Sequence, residues 1–390
     1  MGVLAFRSTD GGAPTLSGSV GSLTDLLYAC LVTGFNVKNL DSLTRDGTTV
    51  TATVAAGHGF ATGQTVRIAG ANEPDYNGDF VVTVTGSTTF TYTIAATPTT
   101  PATGTITAKR APLGWSRPYS GTNKAVFRGA AGTQLYLRVD DAGPGSAGAR
   151  EAFCRGYETM SDVDTGEGPF PTTGQLSTGI IWRKSDTLNT AARNWDLAGD
   201  DRFVYLSVDA YSGSIDNRYL FYFGDIVSYK VGDIYHCVIN GKTVQNSSQL
   251  NGAAKIFAIP QSSISYPEAF IARGYSQGGG STAIEQGGLF YPASAYYYSG
   301  DTGFVGPNPV DNGYHLSPVY IQEVNALRGK LPGLWSLPYV RPFSHWGALE
   351  NVENLSGRTL RAVNAPELNY ESGSSTTDGQ FMLDVTGPWR

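Results

Sequence analysis

Through residues 48–108 polar and apolar residues alternate one by one, and a period of two is the signature of strands covered on one face. In Thr89-Phe-Thr-Tyr-Thr-Ile94 the threonines fall on one side and Phe90, Tyr92 and Ile94 on the other; Val50, Ala52 and Val54 alternate with threonines in the same way. One stretch breaks the rule. Between Gly21 and Thr33, Leu23, Leu26, Leu27, Cys30 and Leu31 recur at spacings of three and four behind Ser22, which predicts a short amphipathic helix over 22–33 with Ser22 as its N-cap. The expected fold is mostly β, an antiparallel β-sandwich or barrel main domain with an inserted small β domain and one short N-terminal helix.

Composition limits the function. Of 390 residues only 15% are charged, while 12% are aromatic, with 22 Tyr and 49 Gly, and the formal net charge is −6. An acidic chain without a Lys/Arg stripe lacks the footprint that a phosphate backbone requires, so nucleic acid is not an expected partner. No apolar run approaches the roughly 18 to 20 residues that cross a bilayer, and no charged segment followed by a long apolar core opens the sequence. Neither a membrane span, export nor a lipid anchor is expected. Cys30, Cys154 and Cys237 are odd in number and in no zinc-type spacing, and read as reduced, buried small hydrophobes.

The β pattern divides along the chain. Residues 48–108 are a Thr/Val/Gly-rich series of about five short strands, with turn signals at Gly57 to Gly63, Asn77-Gly78 and Gly86-Ser87. Polar or Pro-rich stretches, NVKNLDSLTRDG before it and TPTTPATG and KRAPLG near its end, read as linkers. Residues 38–111 are therefore expected to form an inserted all-β module, Ig-like or barrel, within a main domain made of 1–37 and 112–327. The preceding helix, too short to stand alone, is expected to pack on the chain after Gly114. Further strands are expected at Ala125 to Arg128, Gln134 to Asp140, Gly179 to Arg183, Asp201 to Asp209, Arg218 to Tyr229, Ile234 to Ile239 and Lys255 to Ile259. Residues 276–316, rich in Gly, Pro, Ser and Tyr, read as a long loop or assembly arm. Residues 328–390, with strand candidates at Arg358 to Val363 and Gln380 to Val385, read as a C-terminal appendix.

No catalytic motif emerges. His58, His236, His315 and His345 lie outside metal-ligand spacing of one another. His58, in the turn Gly57-His-Gly-Phe60, is expected to pack there, and His236 and Cys237, adjacent on a strand, would point to opposite faces. Asp162, Asp164 and Glu167 are the best acid/base or calcium candidates, but their spacing does not match an EF-hand loop and a solvated turn accounts for them. Nucleophile-elbow, dinucleotide-binding and phosphate-loop motifs are absent. No enzymatic activity, metal or cofactor is expected. Tyr296, Tyr297, Tyr298 and Trp335 are candidates for a subunit interface or for stacking on a host cell-surface glycan.

The stretch Gly57-His-Gly-Phe60, Gly63-Gln-Thr-Val66, Ile68-Ala-Gly70, Tyr76-Asn-Gly78 and Thr89-Phe-Thr-Tyr92 resembles a small all-β module repeated in tailed-bacteriophage tail and other virion proteins. The rest resembles a family of uncharacterised phage structural proteins through Phe6-Arg-Ser-Thr-Asp10, Gly114-Trp115, Tyr136-Leu-Arg-Val-Asp-Asp141, Gly156-Tyr-Glu-Thr-Met-Ser-Asp162, Gly168-Pro-Phe-Pro171 and Gly387-Pro-Trp389. The family usually runs from Gly34 closely into the Gly-Trp segment, so residues 36–112 are extra. The resemblance implies a virion component made in the bacterial cytoplasm and assembled as a homo-oligomer with other virion proteins, at the tail or its tip, with head decoration or a collar as alternatives. It implies no catalytic residues.

Overall fold

The computed structural model describes residues 2–143, 148–210, 218–243, 269–287, 310–324, 326–337, 342–350, 352–366 and 378–390. The chain divides into two compact units, one of Phe6–Thr15 and Asp25–Gly114, the other of Met1–Ala5, Leu16–Thr24 and Trp115–Arg390. It is mostly antiparallel β, with one α-helix, Ser22–Tyr28, among the described residues.

The smaller unit is a sandwich of two four-stranded sheets. One is ordered Phe35–Asn39, Gly104–Arg110, Thr65–Ala71, Gly78–Val81; the other Ser42–Asp46, Thr49–Thr53, Thr89–Thr93, Thr83–Val84. The period-two reading holds at the core, since Val50, Ala52, Phe90, Tyr92, Val66, Ile68, Ile106 and Ala108 all point into one cluster. The linker reading fails before the module, where NVKN and SLTRD are strands, and for Lys109-Arg110, which end a strand, whereas 97–103 and 111–115 carry no strand. The polarity of the first two reflects position: Leu43 is the one residue of Ser42–Asp46 that is buried, as suits an edge strand with one wet face.

The helical segment is also more broken than its spacing predicts. Ser22–Tyr28 is α-helical, Ala29–Thr33 continues as a π-turn, and Gly34 ends it at φ +75°. A Cβ at Gly34 would lie 2.2 Å from the Arg110 carbonyl, so only glycine fits there. From Asp25 onward the segment belongs with the smaller unit, where Leu113 N–H donates to the Cys30 carbonyl at 3.0 Å, while the helix start, Ser22–Thr24, belongs with the chain after Gly114, where Asp141 accepts the Leu23 N–H at 2.8 Å.

The larger unit has three β layers. Its central sheet carries, in spatial order, Trp195–Gly199, Phe203–Asp209, Arg218–Asp225, Cys237–Asn240, Ala269–Ile271 and Thr282–Ala283. Every residue of Phe203–Asp209 and Arg218–Asp225 is buried, which is why these strands read as near-continuous apolar runs. Phe203, Tyr205, Leu220 and Tyr222 face Val319, Ile321, Leu331, Leu334, Phe381 and Leu383 of a C-terminal sheet. The alternate residues face the other way. Phe221 stacks on Trp182 at 5.3 Å and Phe223 on Phe170 at 6.1 Å, covered by the sheet Ser116–Gly121, Lys124–Arg128, Tyr136–Asp140, Glu151–Tyr157, Ile180–Arg183. The C-terminal residues read as an appendix share a layer with earlier strands: Glu285–Gly287, Ser317–Glu323, Ala326–Leu337, Asp378–Asp384, Thr359–Pro366 and Ala348–Glu350 lie side by side in that order within one sheet. The layers are open sheets stacked face to face, and among the described residues no barrel closes.

Candidate interaction surface

The acids of 162–167 are held in place by their neighbours. One Asp162 oxygen accepts the backbone N–H groups of Asp164 and Thr165 at 2.7 and 2.8 Å, an Asx-turn whose hydrogen bonds hold the Asp162 carboxyl below the usual range. Asp164 bonds Arg138 at 2.5 Å and Lys124 at 3.0 Å, and these two cations hold its carboxyl down as well. Among the described residues no three His, Cys, Asp or Glu side chains gather as a metal site, and no helix is long and apolar enough to cross a membrane.

The histidines and cysteines sit in packing positions. His58 Nδ1 accepts the Phe60 N–H at 2.9 Å, so its Nε2–H donates to the Gly86 carbonyl at 2.8 Å, and the ring lies against Phe60 and Phe90. His345 bonds the buried Asp196, which also holds Arg218 at 2.7 Å. His236 precedes the strand Cys237–Asn240, so Ile234 and His236, expected on a strand, belong to a loop. All three cysteines are buried, and burial pushes their thiols up.

Of the nominated contact residues, Trp335 is half-buried on the outer face of the C-terminal sheet, packed against Leu337, Leu360, Ala362 and Met382. Tyr296, Tyr297 and Tyr298 lie outside the described residues, as do Lys255 to Ile259 and most of the loop expected at 276–316.

Sequence reasoning misses a different surface. The guanidinium of Arg328 is fully buried and grips Asp233 through Nε at 2.8 Å and Nη2 at 3.0 Å, and Glu323 through Nη1 at 2.7 Å. The second Glu323 oxygen accepts the Tyr275 N–H at 2.7 Å, and Asp233 accepts the Ser228 hydroxyl at 2.7 Å. Burial alone would raise the Asp233 carboxyl, but Arg328 and Ser228 hold it below the usual range. One side chain thus clamps three chain segments, 228–236, 273–277 and 323–328. On or beside the clamped segments lie Tyr229, Val231, Ile234, Tyr275, Val324 and Leu327, six of the eleven exposed large hydrophobic side chains among the described residues. Lys230 lies 4.4 Å over the Tyr275 ring, and Arg273, bound through both Nε and Nη2 to Glu158, lies 3.9 Å over Tyr235. No periodicity announces this surface, because loops bring the residues together; the one local sign is apolar residues in the turn-rich run Ser228-Tyr-Lys-Val-Gly-Asp-Ile-Tyr235.

No protein-family model matches the chain, and no curated protein matches its sequence. Among solved structures it is similar to the phage phi92 endosialidase, at 10% identity and a TM-score of 0.18, over 90% of this chain and 52% of that one. The chain thus spans about half the length of that protein.

Proposed function

We propose that this chain is a structural component of a tailed-bacteriophage virion, in the tail or at its tip, where it assembles with further copies and with other virion proteins. The observation that carries the reading is the sandwich at 35–110, in which three of the residues resembling the phage module, His58, Asn77 and Tyr92, have a fastening task. His58 ties its turn to Gly86 and Phe60; both ends of the Asn77 side chain bond the backbone of Ala71, at 3.0 and 2.8 Å; the Tyr92 hydroxyl donates to the Tyr76 carbonyl at 3.1 Å. Residues that hold a fold together are those a recurring module must keep. The engagement of Asp162 and Asp164 with neighbouring donors favours a structural role over glycan hydrolysis. A second reading, recognition of a host cell-surface glycan, is favoured by the half-exposed rings of Tyr229 and Tyr275.

Quantitative mass spectrometry of purified virions, against the major capsid protein, tests the assignment. A small fixed copy number supports the tail position, hundreds of copies would make the chain a head decoration, and absence from the particle would sink the reading. Binding of the purified chain to a glycan array, lost in Tyr275→Ala, would establish the second.

A further inference from the structure

We propose that the side chains of Lys242 and Glu151 join in an amide bond, a cross-link that the chain makes for itself between two sheets of the larger unit and that does not depend on the assembly role. Glu151 opens the strand Glu151–Tyr157, and Lys242 lies two residues beyond the strand Cys237–Asn240. The strand Ile180–Arg183 runs between them. Glu151 stands opposite Arg183, and Lys242 exchanges both backbone hydrogen bonds with Ile181, at 2.9 and 3.0 Å. Because Ile181 and Arg183 are two residues apart, this pairing puts the Glu151 and Lys242 side chains on one face of the sheet, where they reach towards each other across the middle strand. Nζ of Lys242 lies 3.1 Å from Oε1 of Glu151, and both residues are 0% exposed.

The surroundings disfavour a simple ion pair. Oε1 serves two cations, since Arg183 Nη1 also reaches it at 3.5 Å, while Oε2 is buried and has no hydrogen-bond partner among the described residues. A carboxylate in a dry interior needs donors on both oxygens, so this one is costly as an ion. Lys242 is likewise disfavoured as an ammonium: burial, and then the nearby Arg183 and Arg150, push its pKa down against the pull of Glu151. Condensation removes both charges and the orphaned oxygen. One proton passes from the Lys242 ammonium to the Glu151 carboxylate, and the neutral amine attacks Cδ, forming the Cδ–Nζ bond. A second amine proton moves to Oε2, the Cδ–Oε2 bond breaks, and that oxygen leaves as water. Nothing is oxidised or reduced, and no co-reactant is used. Arg183 stays beside Oε1, where negative charge gathers as the amine adds. In water an ionised acid and amine resist condensation, but burial favours the uncharged amide, and holding the groups in contact supplies an effective concentration on the order of 10⁵ M or more.

Mass spectrometry of the full chain, produced alone, folded and then denatured, tests this. Wild type should be lighter than its sequence mass of 41.4 kDa by one water, about 18 Da, and its digest should contain a branched peptide joining residue 151 to residue 242. Lys242→Arg keeps the positive charge that faces Glu151 but has no amine to condense. With β circular dichroism like that of wild type, this variant should show the full sequence mass and both peptides linear. A folded wild type at full sequence mass, with residues 151 and 242 in separate linear peptides, overturns the proposal and leaves an ion pair. So does a loss of one water that persists in Lys242→Arg, since that water would come from elsewhere in the chain.

Discussion

The Tyr205 hydroxyl donates to the backbone carbonyl of Pro332 at 2.9 Å, joining the central and C-terminal sheets through the middle of their shared core. Both groups are cut off from water, so removing the donor strands a buried acceptor. Tyr205→Phe should therefore cost about 1 to 3 kcal/mol in urea unfolding, although it removes a single oxygen. A loss below the error of the measurement would mean that the two layers do not depend on this bond.

Alkali should unfold the larger unit. Burial raises the hydroxyls of Tyr205 and Tyr222 and the thiols of Cys154 and Cys237 well above their ordinary values. The unfolded chain releases these protons from about pH 8.5 to 10, while the folded chain keeps them, so their contribution is complete below that window and is lost as pH rises. Tyrosinate absorbance from the buried rings should appear together with loss of β circular dichroism. Ionisation of every tyrosine while the fold persists would contradict the burial of these two.

Asp141 should act in the opposite part of the scale. Its carboxylate caps the helix by accepting the Leu23 N–H at 2.8 Å, and burial raises its pKa to about 6 against the pull of Lys184, 2.5 Å away. The folded chain takes up this proton near pH 6 and the unfolded chain only near pH 4, so between those values the group adds stability as pH falls and removes it as pH rises. Relative to Asp141→Asn, the wild type should gain urea stability between pH 7 and 4.5. A constant difference across that range would refute the assignment.

His58→Ala should loosen the smaller unit alone. The substitution removes the partners of the Phe60 amide and the Gly86 carbonyl and opens space beside Phe90, for a loss of roughly 2 to 4 kcal/mol. Hydrogen exchange should accelerate at 57–90 while the strand Phe203–Asp209 keeps its protection. Equal acceleration in both would mean that the two units unfold as one.

How far the sequence can be read depends on which physical signal each residue carries. Alternation places Phe90, Tyr92, Val50 and Ala52 correctly, because in a thin sandwich one face is dry and the other wet. It fails for Phe35–Asn39 and Ser42–Asp46, whose few inward residues leave them looking like linkers. The Ser22 cap fails for a different reason. The serine hydroxyl serves Ser17 and Ser19, and the capping oxygen comes from Asp141, 118 residues beyond Leu23, a relation that no local pattern records. The Arg328 cluster is hidden in the same way, since the pairing of Val227–Ser228 with Ala326–Leu337 carries Asp233 to Arg328 from 95 residues away. Exposed tyrosines at such a surface have the composition that singles out Tyr296, Tyr297 and Tyr298, but composition does not say which tyrosines a fold presents.

The central claim is that this chain is built into a phage particle. Its most direct test is the copy number per purified virion, counted by mass spectrometry with isotope-labelled peptides from both compact units. A small, constant ratio to the major capsid protein, with peptides of 35–110 and 195–240 in equal amounts, is the predicted result; a chain found in infected cells and missing from intact particles would contradict it.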